Sequence, residues 1–156
     1  MLVCVVLGWP QIVPPDAGGG EGFFNGLLNL ARNTALAFKR RVVVCKSLDG
    51  SRCDLTANWA SGWIVFFDDD NDGDYDEGEL IQSSITWFNS GWTIRVNSPL
   101  ENYVSYTGNG RSRMANGAFQ AGTFTLCHPE YPSLSRQLVI NHQGRARLVV
   151  PNSVGC

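Results

Sequence analysis

Eight of the chain's fourteen carboxylates fall in the twelve residues from Asp68 to Glu79. Asp68, Asp70, Asp72, Gly73, Asp76 and Glu79 occupy positions 1, 3, 5, 6, 9 and 12 of the calcium-loop pattern D-x-D-x-D-G-x5-E. Calcium takes several hard oxygens converging on one point, and the glycine supplies the sharp turn. An EF-hand sets a helix on each side of such a loop, whereas the preceding run, Trp63-Ile64-Val65-Phe66-Phe67, reads as a strand. Calcium held by Asp68, Asp70, Asp72, Asp76 and Glu79 is one expectation for this segment; a solvated hairpin tip is the other.

A second constellation has the opposite sign. Gly144-Arg145-Ala146-Arg147 opens a β-type run. On a strand, Arg145 and Arg147 would share one face about 6.6 Å apart, with Ala146 and Leu148 turned to the core. Each guanidinium can grip a phosphate through paired N–H donors, and the glycine before them permits a tight turn and close backbone approach. Such contacts read charge and not base sequence. Gly110-Arg111-Ser112-Arg113 repeats the spacing inside a Gly/Asn loop and would extend the patch. The plainer reading is that arginines on an edge strand or loop keep that edge soluble and unpaired.

Other reactive side chains lack the company that chemistry needs. His128 precedes Pro129 and His142 ends a β-type run; neither has a nucleophile, a carboxylate pair or metal-ligand spacing beside it. Both are expected at the surface, where a protonated His142 would join the basic face. No enzymatic activity is expected. Tyr103, Tyr106 and Tyr131 could stack on unpaired bases if exposed, with core or turn packing as the alternative. The five cysteines include no CxxC, which leaves little for zinc or thioredoxin-like redox work. Cys45 and Cys53 bracket a turn-rich hydrophilic loop, and the preferred pairing is Cys45 with Cys53 and Cys127 with Cys156, one of three connectivities open to four cysteines. Such bridges would place the chain in an oxidising, extracytoplasmic compartment.

The formal net charge of −2 conceals this separation, because outside the acid cluster twelve Lys and Arg face only six acids. From Asn102 onward the only acid is Glu130, against Arg111, Arg113, Arg136, Arg145 and Arg147. The C-terminal third is basic. With 156 residues, 44% hydrophobic and only 17% charged, the chain suits one domain with a sizeable core and is too apolar for a disordered tail.

The elements that must position these residues follow from periodicity. Phe24, Leu27, Leu28, Ala31, Ala35 and Phe38 recur at helical spacing, and Lys39-Arg40-Arg41 closes the run. After Arg41, short β-type runs alternate with Gly/Asn/Ser/Pro turns: 42–46, 63–68, 79–83, 92–97, 103–107, 122–127, 137–142 and 145–150. One helix before seven or eight strands implies an α+β fold, an N-terminal amphipathic helix packed on antiparallel sheet. Residues 1–22 read as a leader and linker outside the native fold, and residues 23–156 as the globular domain. Met1–Trp9 is apolar but too short to span a membrane, and Pro10, Pro14 and Pro15 stop a helix there.

The order also carries specific residues: Leu30-Ala31-Arg32-x-x-Ala35, Val42-Val43-Val44-Cys45, Trp59-x-x-Gly62-Trp63-Ile64-Val65-Phe66, the acidic stretch into Gly78-Glu79-Leu80, Gly122 to Cys127, and Val139 to Arg147. Together they resemble the soluble portion of FimT/GspH-type minor pilins and pseudopilins, across about Phe24 to Arg147. The resemblance implies a type IV pilin-like fold. It also implies other minor pilins and the major pilin as partners, and a location at the bacterial inner membrane and periplasm before assembly into an extracellular pilus. Family members enter the membrane through an N-terminal anchor helix, which is not visible in this chain. Some pilus members resemble DNA receptors and carry a C-terminal Gly-Arg-x-Arg, which Gly144-Arg145-Ala146-Arg147 matches. What this implies is a minor pilin that binds double-stranded DNA for uptake in natural transformation through Gly144, Arg145 and Arg147, with Arg111 and Arg113 supporting. The alternative is a type II secretion pseudopilin or a pilus-priming scaffold that does not bind DNA.

Overall fold

Phe24, Leu27, Leu28, Ala31 and Ala35 form the fully buried stripe of helix α1, Gly20–Phe38. Packing of this stripe stabilises a helix whose glycine-rich start has poor intrinsic propensity. The computed structural model describes residues 4–6, 20–85, 92–150 and 156. Of the leader and linker reading, positions 1–3 and 7–19 lie outside the described residues; Gly20–Gly22 belong to α1 rather than to a linker. The helix ends when Lys39 takes a left-handed conformation, φ 55°. The expected cations therefore lie just past the last turn, free to reach other elements.

The described residues form nine strands: β1 Cys4–Val6, β2 Val42–Lys46, β3 Trp63–Phe67, β4 Ile81–Ile85, β5 Thr93–Val96, β6 Tyr103–Tyr106, β7 Gly122–Cys127, β8 Arg136–Ile140 and β9 Ala146–Val149. They pair antiparallel in two sheets, ordered β1-β4-β3-β2-β6 and β5-β7-β8-β9. Strand β1 was not expected from the sequence; three residues are too few to show alternation. Strand β4 begins two residues later than the expected 79, because Glu79 is spent inside the acidic turn.

The main core joins α1 to the facing sides of both sheets, and Phe24 sits at its aromatic centre against Trp63, Phe124 and Trp59. Strands β2 and β3 are buried on both faces. Their outer face carries a second small core of Val43, Cys45, Ile64 and Phe66, with Cys53, Tyr75 and Tyr103 packed against it. The 45–53 loop and the acidic hairpin therefore act as a lid on the larger sheet. Disulfide Cys45–Cys53 pins that lid, and Cys127–Cys156 ties the chain's last residue to the end of β7.

Candidate functional site

The two arginine motifs are built on the same turn. Gly144 donates to the Asn141 carbonyl at 2.9 Å and Asn141 to the Arg145 carbonyl at 3.0 Å; Gly110 donates to Thr107 at 2.8 Å and Thr107 to Arg111 at 2.9 Å. Both glycines are left-handed, φ 88° and 81°. This is the three-residue hairpin loop that ends in a glycine bulge, and it delivers an arginine directly after the glycine. Asn141 Oδ1 caps its own turn from Gln143 and Arg145, and Asn109 Oδ1 accepts from Arg111 in the other.

Helix α1 holds the first turn in place. Arg32 Nε donates to the Gly110 carbonyl at 2.8 Å, and Leu36 would lie 3.0 Å from a Cβ at Gly110. The second turn then lies on the first. A Cβ at Gly144 would stand 2.2 Å from the Gly110 carbonyl oxygen and 3.2 Å from Arg111 Cα, and Ser112 Oγ donates to the Asn141 carbonyl at 3.2 Å. Motifs 34 residues apart in sequence thus share one end of the molecule, where an edge of one sheet meets an edge of the other.

Arg111, Arg145 and Arg147 are exposed, and none makes an ion pair among the described residues. Arg147 pairs across the sheet with Val139, and Ala146 with the buried Ile140, so the arginine and core faces alternate as the strand pattern requires. Leu148, expected in the core, is 39% exposed, because no strand flanks the outer side of β9 among the described residues. Arg113 differs from the others. It is half-buried, its guanidinium lies 4.2 Å over the Phe119 ring, and Nη1 donates to the Gly117 carbonyl at 3.4 Å.

The acidic hairpin joins β3 to β4 with no helix on either side, which departs from the EF-hand frame. Its first and last ligand positions already organise backbone. Asp68 accepts from Gly73 N at 2.9 Å and Asp72 N at 3.3 Å; Glu79 accepts from Asp69 N and Asp76 N, both at 2.8 Å. Carboxylate oxygens of Asp68, Asp70 and Glu79 lie within 4.8 Å of one another, as do those of Asp70, Asp72 and Asp76. The five residues are therefore brought together in two overlapping groups that meet at Asp70, a donor set suited to a hard cation. Burial raises Asp68 to about 7. Hydrogen bonding to Asp70 and Asp72 raises Asp76 to about 7, and Asp70 is lowered by the same contact with Asp76.

Arg40 and Arg41 tie the hairpin down. Arg40 Nη2 lies 2.8 and 3.0 Å from the Asp69 carboxylate oxygens, and its guanidinium stacks on Phe67 at 3.8 Å. Arg41 donates to Asn71 Oδ1 at 3.0 Å, to Ser105 Oγ, and to the Arg113 carbonyl at 3.2 Å.

The remaining candidates separate clearly. His128, expected at the surface, is 8% exposed: it packs on Trp92 and Tyr131, and its Nδ1 accepts from Glu130 N and Tyr131 N. Tyr106 is fully buried, and Tyr103 is half-buried beneath Gly73, so neither is free to stack; Tyr131 stays exposed. His142 is exposed in the second arginine turn, 5.7 Å from the Phe119 ring. Sequence reading missed Phe119, a lone aromatic after Asn116-Gly117 that the bridge to Arg113 brings beside the site. Among the described residues no helix is long and apolar enough to cross a membrane.

Residues 24–144 match the family described as Type II transport protein GspH. No curated protein matches the chain. Among solved structures, the type IV minor pilin FimU of Pseudomonas aeruginosa (strain PAO1) superposes with a TM-score of 0.63 at 19% identity, covering 88% of this chain and 94% of that one. A second crystal form of FimU gives 0.61 at 20%, covering 87% and 98%. The minor pseudopilin EpsH from the type 2 secretion system of Vibrio cholerae gives 0.55 at 13% identity, covering 88% of this chain and all of that one. At these identities the likeness is one of fold: a helix packed on antiparallel sheets.

Proposed function

The chain belongs to the GspH family of type II transport proteins, and on that premise we propose that it is a minor pilin that holds double-stranded DNA without sequence preference during uptake in natural transformation. The observation that carries this reading is the seating of Gly144 on Gly110, which gathers Arg111, Arg145 and Arg147, all exposed and without an acidic partner among the described residues. Such a cluster binds phosphate oxygens and makes affinity fall steeply with salt. Other minor pilins and the major pilin are the assembly partners in this reading. The setting is the cell envelope and then an extracellular filament, in keeping with two disulfides that need an oxidising compartment.

The test is an electrophoretic mobility shift with short duplex DNA at low salt. It compares the wild type with the Arg145→Ala/Arg147→Ala double variant, both checked for folding by circular dichroism. A shift lost only in the folded double variant supports DNA capture. No shift from the wild type leaves the second reading, a pseudopilin or pilus-priming scaffold, which the family's own description as a type II transport protein favours.

A further inference from the structure

Phe119 leaves 58% of its surface in water although it sits beside the arginine turns. Among the described residues its two ring neighbours come one from each turn region. Arg113, two residues after Arg111, lays its guanidinium 4.2 Å over the ring; His142, in the turn that leads to Arg145, meets it edge-on at 5.7 Å and 76°. The backbone fixes the ring's place, because Arg113 and Phe119 form an antiparallel bridge around the Met114–Ala118 turn. An exposed phenyl held on a rigid hairpin, with a guanidinium already stacked on it and free arginines nearby, is the combination that receives unpaired bases: the aromatic takes a base face and the cations take the phosphates on either side.

We propose that Phe119, with Arg113 and His142, is a stacking seat for an unpaired base, so that this site takes DNA with single-stranded or frayed ends in preference to closed duplex. The inference rests on the DNA reading above and adds the form of DNA that the site selects. Inside a closed duplex each base face is covered by its neighbours, and the phenyl ring has nothing to stack on there. Where a strand is unpaired, the phosphates lie along Arg111, Arg145 and Arg147 and one base lies on Phe119. Every base has a π-face, so the seat does not discriminate sequence.

The experiment uses three probes in fluorescence anisotropy at low salt: a blunt duplex, the same duplex with an unpaired thymidine tail, and the same duplex with an abasic tail of equal length and charge. The wild type is expected to bind the thymidine tail about tenfold more tightly than the abasic tail. Phe119→Ala should abolish that difference while leaving blunt-duplex affinity unchanged, and Phe119→Trp should restore it. Equal affinity of the wild type for thymidine and abasic tails overturns the seat and leaves the DNA reading standing. So does an equal weakening of all three probes by Phe119→Ala, or a thymidine preference that survives it. If the wild type binds none of the three, the DNA reading falls and the seat falls with it.

Discussion

Gly144 lies against Gly110 so closely that a methyl group on Gly144 would stand 2.2 Å from the Gly110 carbonyl oxygen. The obstacle is backbone, which cannot swing away as a side chain can, and Gly144 also holds φ 88°. Gly144→Ala combines a left-handed strain with a steric push between the two arginine turns. Its expected cost is about 2–4 kcal/mol. For a chain of this size each kcal/mol lowers the melting temperature by about 2–4 °C. Gly117→Ala is the matched control: φ is 89° but nothing lies within 4 Å of the added carbon, so only the backbone strain of about 1–2 kcal/mol remains. Thermal unfolding of both variants checks the difference, and equal losses would mean that the turns are not pressed together.

On the DNA reading proposed above, Arg145 and Arg147 would each neutralise one phosphate, and that sets the expected salt dependence of binding. On log–log axes the affinity of the wild type for duplex DNA should fall linearly with salt, and Arg145→Ala/Arg147→Ala should make that slope shallower by about 2. Titrations at several salt concentrations decide this. A weaker double variant with an unchanged slope would mean that the arginines act through packing and not through phosphate.

Much of this arrangement is legible in the sequence, and what is not has physical causes. The spacing of Phe24 through Ala35 gives the helix its buried face, and the runs expected at 42–46, 63–68 and 122–127 become strands within a residue of their expected ends. Both arginine pairs show in the sequence as separate motifs. Their contact does not, because it depends on how an edge of one sheet meets a turn of the other, and no local periodicity encodes that. His128 reads as a surface residue beside Pro129, yet Trp92 and Tyr131 enclose it. Phe119 escaped notice for a similar reason: a single aromatic in a polar stretch shows no period, and only the bridge to Arg113 brings it beside the site.

The acidic hairpin should make stability depend on pH in a direction opposite to that of ordinary salt-bridged carboxylates. Burial holds Asp68 at about 7, and crowding by Asp70 and Asp72 holds Asp76 at about 7, both above the unfolded value of about 3.9. A carboxyl raised in this way favours the folded state while protonated. Its contribution is complete below about pH 4 and is lost as pH rises through 7. The wild type should therefore melt at a lower temperature at pH 8 than at pH 5. Asp76→Asn should lose less, so the gap between variant and wild type opens as pH rises; a gap that closes would contradict the crowding. Calcium added at pH 8 separates the two readings of this loop. A rise in melting temperature that Glu79→Gln abolishes supports a held cation, and no rise leaves a solvated hairpin.

Arg41 sets the acid cluster beside the basic one. Its guanidinium reaches Asn71 Oδ1 at 3.0 Å on the hairpin and the Arg113 carbonyl at 3.2 Å on the arginine side. One guanidinium thus ties the hairpin to the backbone of the first arginine motif. On the DNA reading proposed above, phosphates approaching the arginines past the hairpin would meet its carboxylates, a repulsion felt over about 10 Å, one Debye length at 0.1 M salt. Asp74 and Asp76 are both exposed, and neither forms an ion pair among the described residues. At pH 8, where Asp76 is ionised, Asp74→Asn/Asp76→Asn should therefore tighten duplex binding about threefold at low salt, and the gain should vanish at high salt as the repulsion is screened. A gain that persists at high salt would point to a reshaped hairpin instead, and no gain at low salt would place the DNA path beyond the reach of these charges.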